Sequence, residues 1–113
     1  VFGAEIFDQG GDFSTPNFTA PVAGKYQLSC LIYMEALDSA SPYYYVRLTT
    51  SNRVYQEQFD PDFGQDAAHW SISMSILADM DASDTAKIVV HQSGGTQQMD
   101  VNDASYFSGY LVC

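Results

Sequence analysis

The sequence predicts an all-β fold in which two antiparallel sheets pack face to face as a sandwich or jelly roll. Three observations support this class. About eight short strand-like runs follow one another at roughly 8–12-residue spacing, with turn signals between them. Within several runs, apolar and polar residues alternate with the period of two that places successive side chains on opposite faces of a strand. No stretch shows the 3.6-residue period of an amphipathic helix.

The first twenty residues predict two short extended segments. Residues 1–7 are mostly apolar and run into a glycine pair, as a strand does before a turn. Residues 17–20 follow the break at Pro16 and predict a second short strand.

A strand over residues 25–34 is the centre of the prediction. It follows a proline–glycine turn signal, and its apolar side chains fall two apart from Tyr26 onward, so one face is expected in the core. The opposite face begins polar and ends with Leu31 and Tyr33. A strand that is apolar on both faces at one end needs a second surface to cover it.

A β-hairpin is predicted next. Residues 35–42 form a polar loop, and the tyrosine-rich run 43–50 is composed of strand formers. Ser51-Asn52 is a two-residue turn candidate that joins this run to a second strand at 53–59. Residues 60–65 read as loop.

The second half of the chain continues the pattern. The run 70–76 has the clearest alternation, with Trp70, Ile72, Met74 and Ile76 on the predicted core face and serines on the other. The remaining elements are an acidic turn at 79–84, strands at 85–92 and 97–101 separated by a glycine turn, and an apolar closing strand at 105–113.

Composition limits the partners. The 113 residues predict a single domain over residues 1–113, and 4 Lys and Arg against 14 Asp and Glu give a net charge of -10. Nucleic acid and anionic membrane surfaces are excluded, because both bind clustered cations. No apolar run reaches the roughly 18 residues of a membrane span, and Val1 does not open a secretory signal pattern.

The two cysteines match neither a zinc site nor a disulfide scaffold. Cys30 lies on the apolar face of the 25–34 strand, where a small buried thiol is expected. A bridge between Cys30 and Cys113 is the alternative.

Two segments carry a family resemblance. Residues 18–26, FTAPVAGKY, and residues 105–111, SYFSGYL, resemble the signature and the closing strand of the globular C1q-like domain of the C1q and tumour necrosis factor superfamily. The chain departs from the family pattern at Ser83-Asp84, where Gly-Asp is usual, so a different turn is expected there. The resemblance implies a ten-stranded antiparallel jelly roll, a strand at 25–34 that neighbours the final strand, and a homotrimer around a threefold axis.

A trimer would cover the apolar residues that point away from the core. Leu31, Tyr33 and Tyr110 are predicted there, and Ser71 and Ser73 are assigned to the same interface. One subunit's edge would pack on the next until the ring closes, and tyrosine suits such a site because its ring packs while its hydroxyl finds a partner. In the alternative, these rings cap the domain's own sheet.

The chemistry-bearing residues are few. No nucleophile motif is present, and His69 and His91 are the only histidines, so we predict that the chain is not an enzyme and needs no cofactor. Calcium is retained as an alternative, because Asp60, Asp62 and Asp66 place carboxylates in a flexible turn. The turn at 79–84 has similar spacing, and neither segment matches a complete EF-hand loop.

The predicted function is a trimeric binding head, expected at the C-terminus of a longer fibrous or virion protein on a virion surface or outside the cell. Its partner would be a surface receptor or a glycan, and its loops would make the contact. The ligand-contact candidates are Tyr43, Tyr44, Tyr45, Phe63 and His69. One alternative is a structural trimerisation or capsid-decorating module that contacts neighbouring virion proteins. The other is a secreted animal C1q-like recognition protein.

Overall fold

The computed structural model describes residues 13–14, 17–96 and 99–113. The strand predicted at 1–7 and the first two residues of the segment predicted at 97–101 lie outside these ranges. The described strands, all paired antiparallel, are β1 (Phe13–Ser14), β2 (Asn17–Thr19), β3 (Gly24–Leu37), β4 (Tyr43–Thr50), β5 (Val54–Phe59), β6 (Ala67–Met80), β7 (Thr85–Ser93), β8 (Asp100–Val101) and β9 (Tyr106–Leu111).

The strands form two sheets. One has the order β1-β2-β7-β4-β5 and is called the β4 sheet; the other has the order β6-β3-β8, with β9 also paired to β3, and is called the β3 sheet. The predicted all-β sandwich is confirmed, as is the pairing of the 25–34 strand with the final strand. Nine strands lie within the described residues, and a tenth stays a prediction.

The core lies between the two sheets. Alternate residues of β3 and β4 face inward, which is why their burial follows the period of two predicted from sequence. Burying a side chain such as Leu28, Ile32 or Leu48 contributes roughly 1.5–3 kcal/mol. The largest fully buried members of the core include Tyr26, Leu28, Ile32, Met34, Leu37, Tyr44, Val46, Leu48 and Met80.

β3 continues three residues beyond its predicted end at residue 34. Its ladder with β6 runs from Gly24–Met80 to Leu37–Ala67, so residues 35–37 are strand and not loop. Ala36 has a positive φ of 59°, which breaks the alternation and lets Leu37 turn into the core with no exposed surface. The polar loop that the sequence predicted at 35–42 is correspondingly shorter.

Trp70 corrects the prediction that it belongs to the core. Its side chain is 40% exposed, although it pairs with the buried Met34. β6 is the outermost strand of its sheet, so an inward-facing side chain there is covered on one side only. Trp70 instead packs against Phe59 and Phe63, with ring centroids 5.6 and 5.0 Å away.

The turn at 81–84 keeps a glycine-like backbone despite its serine. Ser83 has a φ of 77°, and its amide donates to the Ala20 carbonyl at 2.8 Å. The Asp84 carboxylate accepts from the Asp81 amide at 2.9 Å and closes the turn. The chain therefore places an L-residue where the left-handed conformation favours glycine.

The alternative of a Cys30–Cys113 bridge is wrong in this structure. Both thiols are free, with Cys30 buried and Cys113 exposed. Cys30 pairs with Phe107 near one end of the β3–β9 ladder, whereas the Cys113 carbonyl accepts from the Lys25 amide at the other end. Burial raises the pKa of the Cys30 thiol, as expected for a core thiol.

Candidate interaction surfaces

The five predicted trimer-interface residues lie on one face. Directly paired residues of antiparallel strands point to the same side of a sheet, and Leu31 pairs with Ser73 while Tyr33 pairs with Ser71. Tyr110 pairs with Gln27, which alternates with Leu31 along β3. We call this outward surface of β3, β6 and β9 the β3 face. Its role as an interface stays a prediction.

Two further residues of the β3 face were not among the predicted interface residues. Tyr106 pairs with Leu31 and Leu77 pairs with Gln27, and their exposed fractions are 51% and 53%. Tyr110 is 64% exposed. The available signal for Leu77 was its position directly after the alternating run 70–76, where an apolar residue stands in the place of the next serine.

The centre of the β3 face is polar without being charged. A row of three serines crosses it, because Ser29 pairs with Ser75 on one side and with Ser108 on the other. The Gln27 side-chain amide donates to the Ser75 hydroxyl at 2.7 Å, and the hydroxyls of Ser29 and Ser75 lie 3.4 Å apart. The face therefore offers hydroxyls and apolar side chains together.

A small polar cluster closes one end of the β3 face. The Tyr33 hydroxyl lies 3.0 Å from His69 Nδ1, and Glu35 Oε2 lies 3.8 Å from the same nitrogen. Asn102 donates to the other Glu35 oxygen at 2.7 Å. The His69 side chain is 62% exposed and borders a shallow depression with Trp70 and Ser71. Among the described residues, the hydrogen-bond partner of His69 is the Tyr33 hydroxyl.

Aromatic side chains line the edge where β5 and β6 are the last strands of their sheets. Phe59, Phe63 and Trp70 form a group that we call the aromatic edge, in which Phe63 and Trp70 are each 40% exposed. Tyr44 stacks beneath Phe59 at 5.5 Å and 10°. Phe63 is thus accessible, as its selection as a ligand contact requires.

Tyr44 corrects the list of ligand-contact candidates. Its side chain has no exposed surface, because three consecutive tyrosines on a strand must send the middle one to the face opposite its neighbours. Its hydroxyl accepts from the Asp38 amide at 2.8 Å. Burial raises the pKa of this hydroxyl, and the hydrogen bond from Asp38 opposes the shift. Tyr44 is a core residue that holds a loop.

Tyr43 and Tyr45 point outward on the other sheet. Their rings stack 6.3 Å apart at 18°, and Tyr45 stacks on His91 at 4.8 Å and 26°. The Arg47 Cζ atom lies 4.1 Å from the centre of the Tyr45 ring. We call these four residues the β4 ladder. Cross-strand pairing of Tyr45 with His91 fixes the geometry.

The loop at 38–42 is held by buried polar contacts. Asp38 is 7% exposed; its carboxylate accepts from the Ala40 amide at 2.9 Å and from the Thr96 amide. The Ser41 hydroxyl donates to the Ser93 carbonyl at 2.7 Å. Backbone amides and carbonyls that lie in a buried loop need such partners, so this loop is ordered before any ligand arrives.

The three predicted calcium ligands do not converge. Asp60 accepts from the Asp62 amide at 3.1 Å within their own turn, whereas Asp66 accepts from both the amide and the hydroxyl of Ser39 at 3.0 Å. In the described ranges, no group of three His, Cys, Asp or Glu side chains is placed to hold a metal ion. A calcium site at Asp60, Asp62 and Asp66 stays a prediction that the geometry does not support.

Comparison with solved structures supports the assignment of the fold. The structure is similar to the globular domain of zebrafish complement 1qA protein, with a TM-score of 0.69, 20% sequence identity, and coverage of 98% of this chain and 81% of that one. The likeness shows that the fold is C1q-like. No protein-family model matches the sequence, and no curated protein matches it. In the described part of the chain, no helix is long and apolar enough to cross a membrane.

Proposed function

We propose that this chain is a non-enzymatic recognition module that acts as a homotrimer. The observation that carries the proposal is the β3 face, where tyrosine and leucine side chains stand exposed beside serine hydroxyls on a single chain. Tyr106, Tyr110 and Leu77 are each more than half exposed. Tyr106 lies beside Leu31 on one side of the serine row, and Tyr110 and Leu77 flank Gln27 on the other. Exposed apolar side chains beside polar ones mark interaction sites, and tyrosine is enriched in the buried centres of protein interfaces.

A closed ring needs two different patches that fit each other, since each subunit offers one patch to the neighbour on either side. The β3 face is one. The aromatic edge is the second, because Phe63 and Trp70 are exposed at the open side of the sandwich. Packing this edge onto the β3 face of the next subunit would cover both patches at once.

The C1q-like fold supports the trimer, and the proposed setting is outside the cell or on a virion surface. There the module would serve as the head of a fibre and bind a host receptor or a glycan. The low lysine content and the absence of a disulfide framework favour this setting over a secreted animal protein.

A structural trimerisation module is the second candidate, and one observation favours it. The loop at 38–42 is ordered by Asp38 and Ser41 contacts that need no ligand. A trimerisation module would tolerate substitution of Ala40 and Pro42, the exposed residues of the loop at 38–42, without loss of assembly and without loss of any binding. A recognition head that uses this loop would keep its assembly and lose its binding.

Native mass spectrometry of the purified chain tests the proposal. We expect a mass three times the 12.5 kDa of the chain, and a monomer at all concentrations would contradict it. Repeating the measurement with a calcium chelator tests the calcium prediction separately. Loss of the trimer on chelation would support a metal site, and an unchanged trimer would count against one that is needed for assembly.

A further inference from the structure

The outward surface of the β4 sheet, which we call the β4 face, has no role in the proposed trimer. Its described residues include no Asp or Glu, in a chain that has 14 acidic and 4 basic residues. Arg47, Lys87 and His91 all lie on it. The register of the strands assigns to this face Asn17, Thr19, Tyr43, Tyr45, Arg47, Thr49, Val54, Gln56, Gln58, Thr85, Lys87, Val89, His91 and Ser93.

Arg47 is available to an anion. Its Nε donates to Gln56 Oε1 at 2.6 Å. The one ion pair found among the described residues joins His69 to Glu35 on the other sheet. The terminal guanidinium nitrogens therefore have no carboxylate partner within the described chain. A guanidinium binds a carboxylate through two parallel hydrogen bonds, and such charge-assisted bonds are stronger than neutral ones.

Packing within the β4 ladder limits which ligands can bind there. Arg47, His91 and Tyr43 all pack against the ring of Tyr45, so a ligand meets the phenol hydroxyls and the guanidinium beside a Tyr45 ring that is already covered. A flat aromatic ligand therefore finds little of the Tyr45 ring to stack on. A hydroxyl-rich ligand with one negative group matches these donors and acceptors.

The net charge of -10 favours a ligand with a single negative group over a long polyanion. Charges more than about 8 Å apart are largely screened at physiological salt, so a single carboxylate at Arg47 is little affected by acidic residues on distant turns. A long polyanion would extend from the ladder toward those turns and be repelled.

We infer that the β4 ladder binds a glycan through a carboxylate-bearing sugar, with the carboxylate on Arg47 and sugar hydroxyls on Tyr43, Tyr45 and His91. This inference rests on the proposed function, because it names the ligand class of the recognition module. It assigns binding to a sheet face and not to the loops that the sequence suggested.

Saturation-transfer NMR and calorimetry with sialyllactose, a galacturonic acid trisaccharide and lactose test the inference. We expect one or both of the acidic sugars to bind and lactose to bind at least about tenfold more weakly, since the charge-assisted bonds to Arg47 are absent. Arg47→Gln should weaken acidic-sugar binding about tenfold or more. Tyr45→Phe, which keeps the stack and removes a hydroxyl, should have a smaller effect.

Arg53→Gln is the matched control, because it removes the same charge from a residue that lies 5.8 Å over Tyr55 and outside the ladder. It should leave acidic-sugar binding unchanged. The inference would be overturned if Arg47→Gln bound the acidic sugars as well as the wild type does, or if Arg53→Gln weakened binding as much as Arg47→Gln does. It would also be overturned if the wild type bound lactose as tightly as the acidic sugars. Far tighter, Arg47-dependent binding of a sulfated oligosaccharide would overturn it as well, because it would indicate a polyanion site.

The two proposals fail separately. A trimer that binds neither acidic sugar overturns the glycan assignment and leaves the assembly in place. A monomer that binds an acidic sugar through Arg47 supports the ladder and overturns the trimer.

Discussion

The β3 face and the β4 face are both outward surfaces of antiparallel sheets, and they differ in how far their tyrosine rings are covered. On the β4 face, tyrosine rings are covered by one another, by His91 and by Arg47. On the β3 face, Tyr106 and Tyr110 are 51% and 64% exposed. The rings of the β4 face already cover each other, whereas Tyr106 and Tyr110 are uncovered in the single chain. This difference supports assembly through the β3 face and leaves the hydroxyls and the guanidinium of the β4 ladder for the proposed ligand.

The largest expected effect comes from a charge placed on the β3 face. Leu31→Glu would introduce a carboxylate beside the serine row, within the proposed contact, and an unpaired buried charge is strongly disfavoured. We expect the trimer to dissociate to a folded monomer, detected by light scattering and circular dichroism.

Thr49→Glu is the matched control for that change, because it adds the same charge to a half-buried strand position on the β4 face. It should remain a trimer. Dissociation of both variants, or of neither, would remove the distinction between the two faces.

A smaller effect is expected at Gly24, where β3 approaches the end of the chain. A Cβ atom there would lie 2.7 Å from the Cys113 carbonyl oxygen and 2.8 Å from Leu111 Cδ1. Gly24→Ala should therefore displace the end of β9 and lower the free energy of unfolding by about 1–3 kcal/mol. Urea titration measures it, and an unchanged midpoint would show that β9 is not held as described.

The stability of the protein at alkaline pH depends on two titratable groups in the core between the two sheets. The pKa values of the Cys30 thiol and the Tyr44 hydroxyl are raised by burial above their ordinary values of 9.0 and 10.0. Burial thus favours the neutral forms of both groups in the folded state. Their contribution to the free energy of unfolding is complete below the ordinary pKa values and is lost as the pH rises through the folded-state pKa values. We expect the free energy of unfolding to fall above about pH 9, and the fall to be shallower in Cys30→Ala. An equal slope in wild type and variant would contradict this assignment.

The smallest effect is a gain in stability at the two non-glycine residues with positive φ. Ala36 and Ser83 have φ values of 59° and 77°, a conformation that costs an L-residue roughly 1–2 kcal/mol. Because glycine also loses more entropy on folding, Ala36→Gly and Ser83→Gly should each stabilise by about 1 kcal/mol or less. Thermal unfolding measures the gain, and a decrease in melting temperature would contradict the backbone geometry.

Much of the fold follows from sequence, because period-two alternation records which face of each strand is buried. It predicted the inward side of β3 and placed Leu31, Tyr33 and Tyr110 on the opposite face. It missed the extension of β3 through Leu37, since a left-handed alanine has no sequence signal. Trp70 was misassigned because alternation indicates a face and does not reveal how far the facing sheet covers it.

The candidate site was less predictable. Tyr43, Tyr44 and Tyr45 are identical in sequence and differ in role, because strand geometry sends only the middle ring into the core. The β4 ladder depends on His91, which lies far along the chain from Tyr45 and reaches it through strand pairing. The composition gives the number of basic residues. It does not show that Arg47, Lys87 and His91 share a sheet face whose described residues include no Asp or Glu.

Tyrosine footprinting of the native protein tests the proposed assembly through the β3 face. Hydroxyl-radical modification, read residue by residue by mass spectrometry, reports which rings are covered in solution. We predict that Tyr106 and Tyr110, whose exposure in a single chain is 51% and 64%, are strongly protected in the native protein. Modification of Tyr106 and Tyr110 at the rate of the unfolded chain would contradict the proposed assembly through the β3 face.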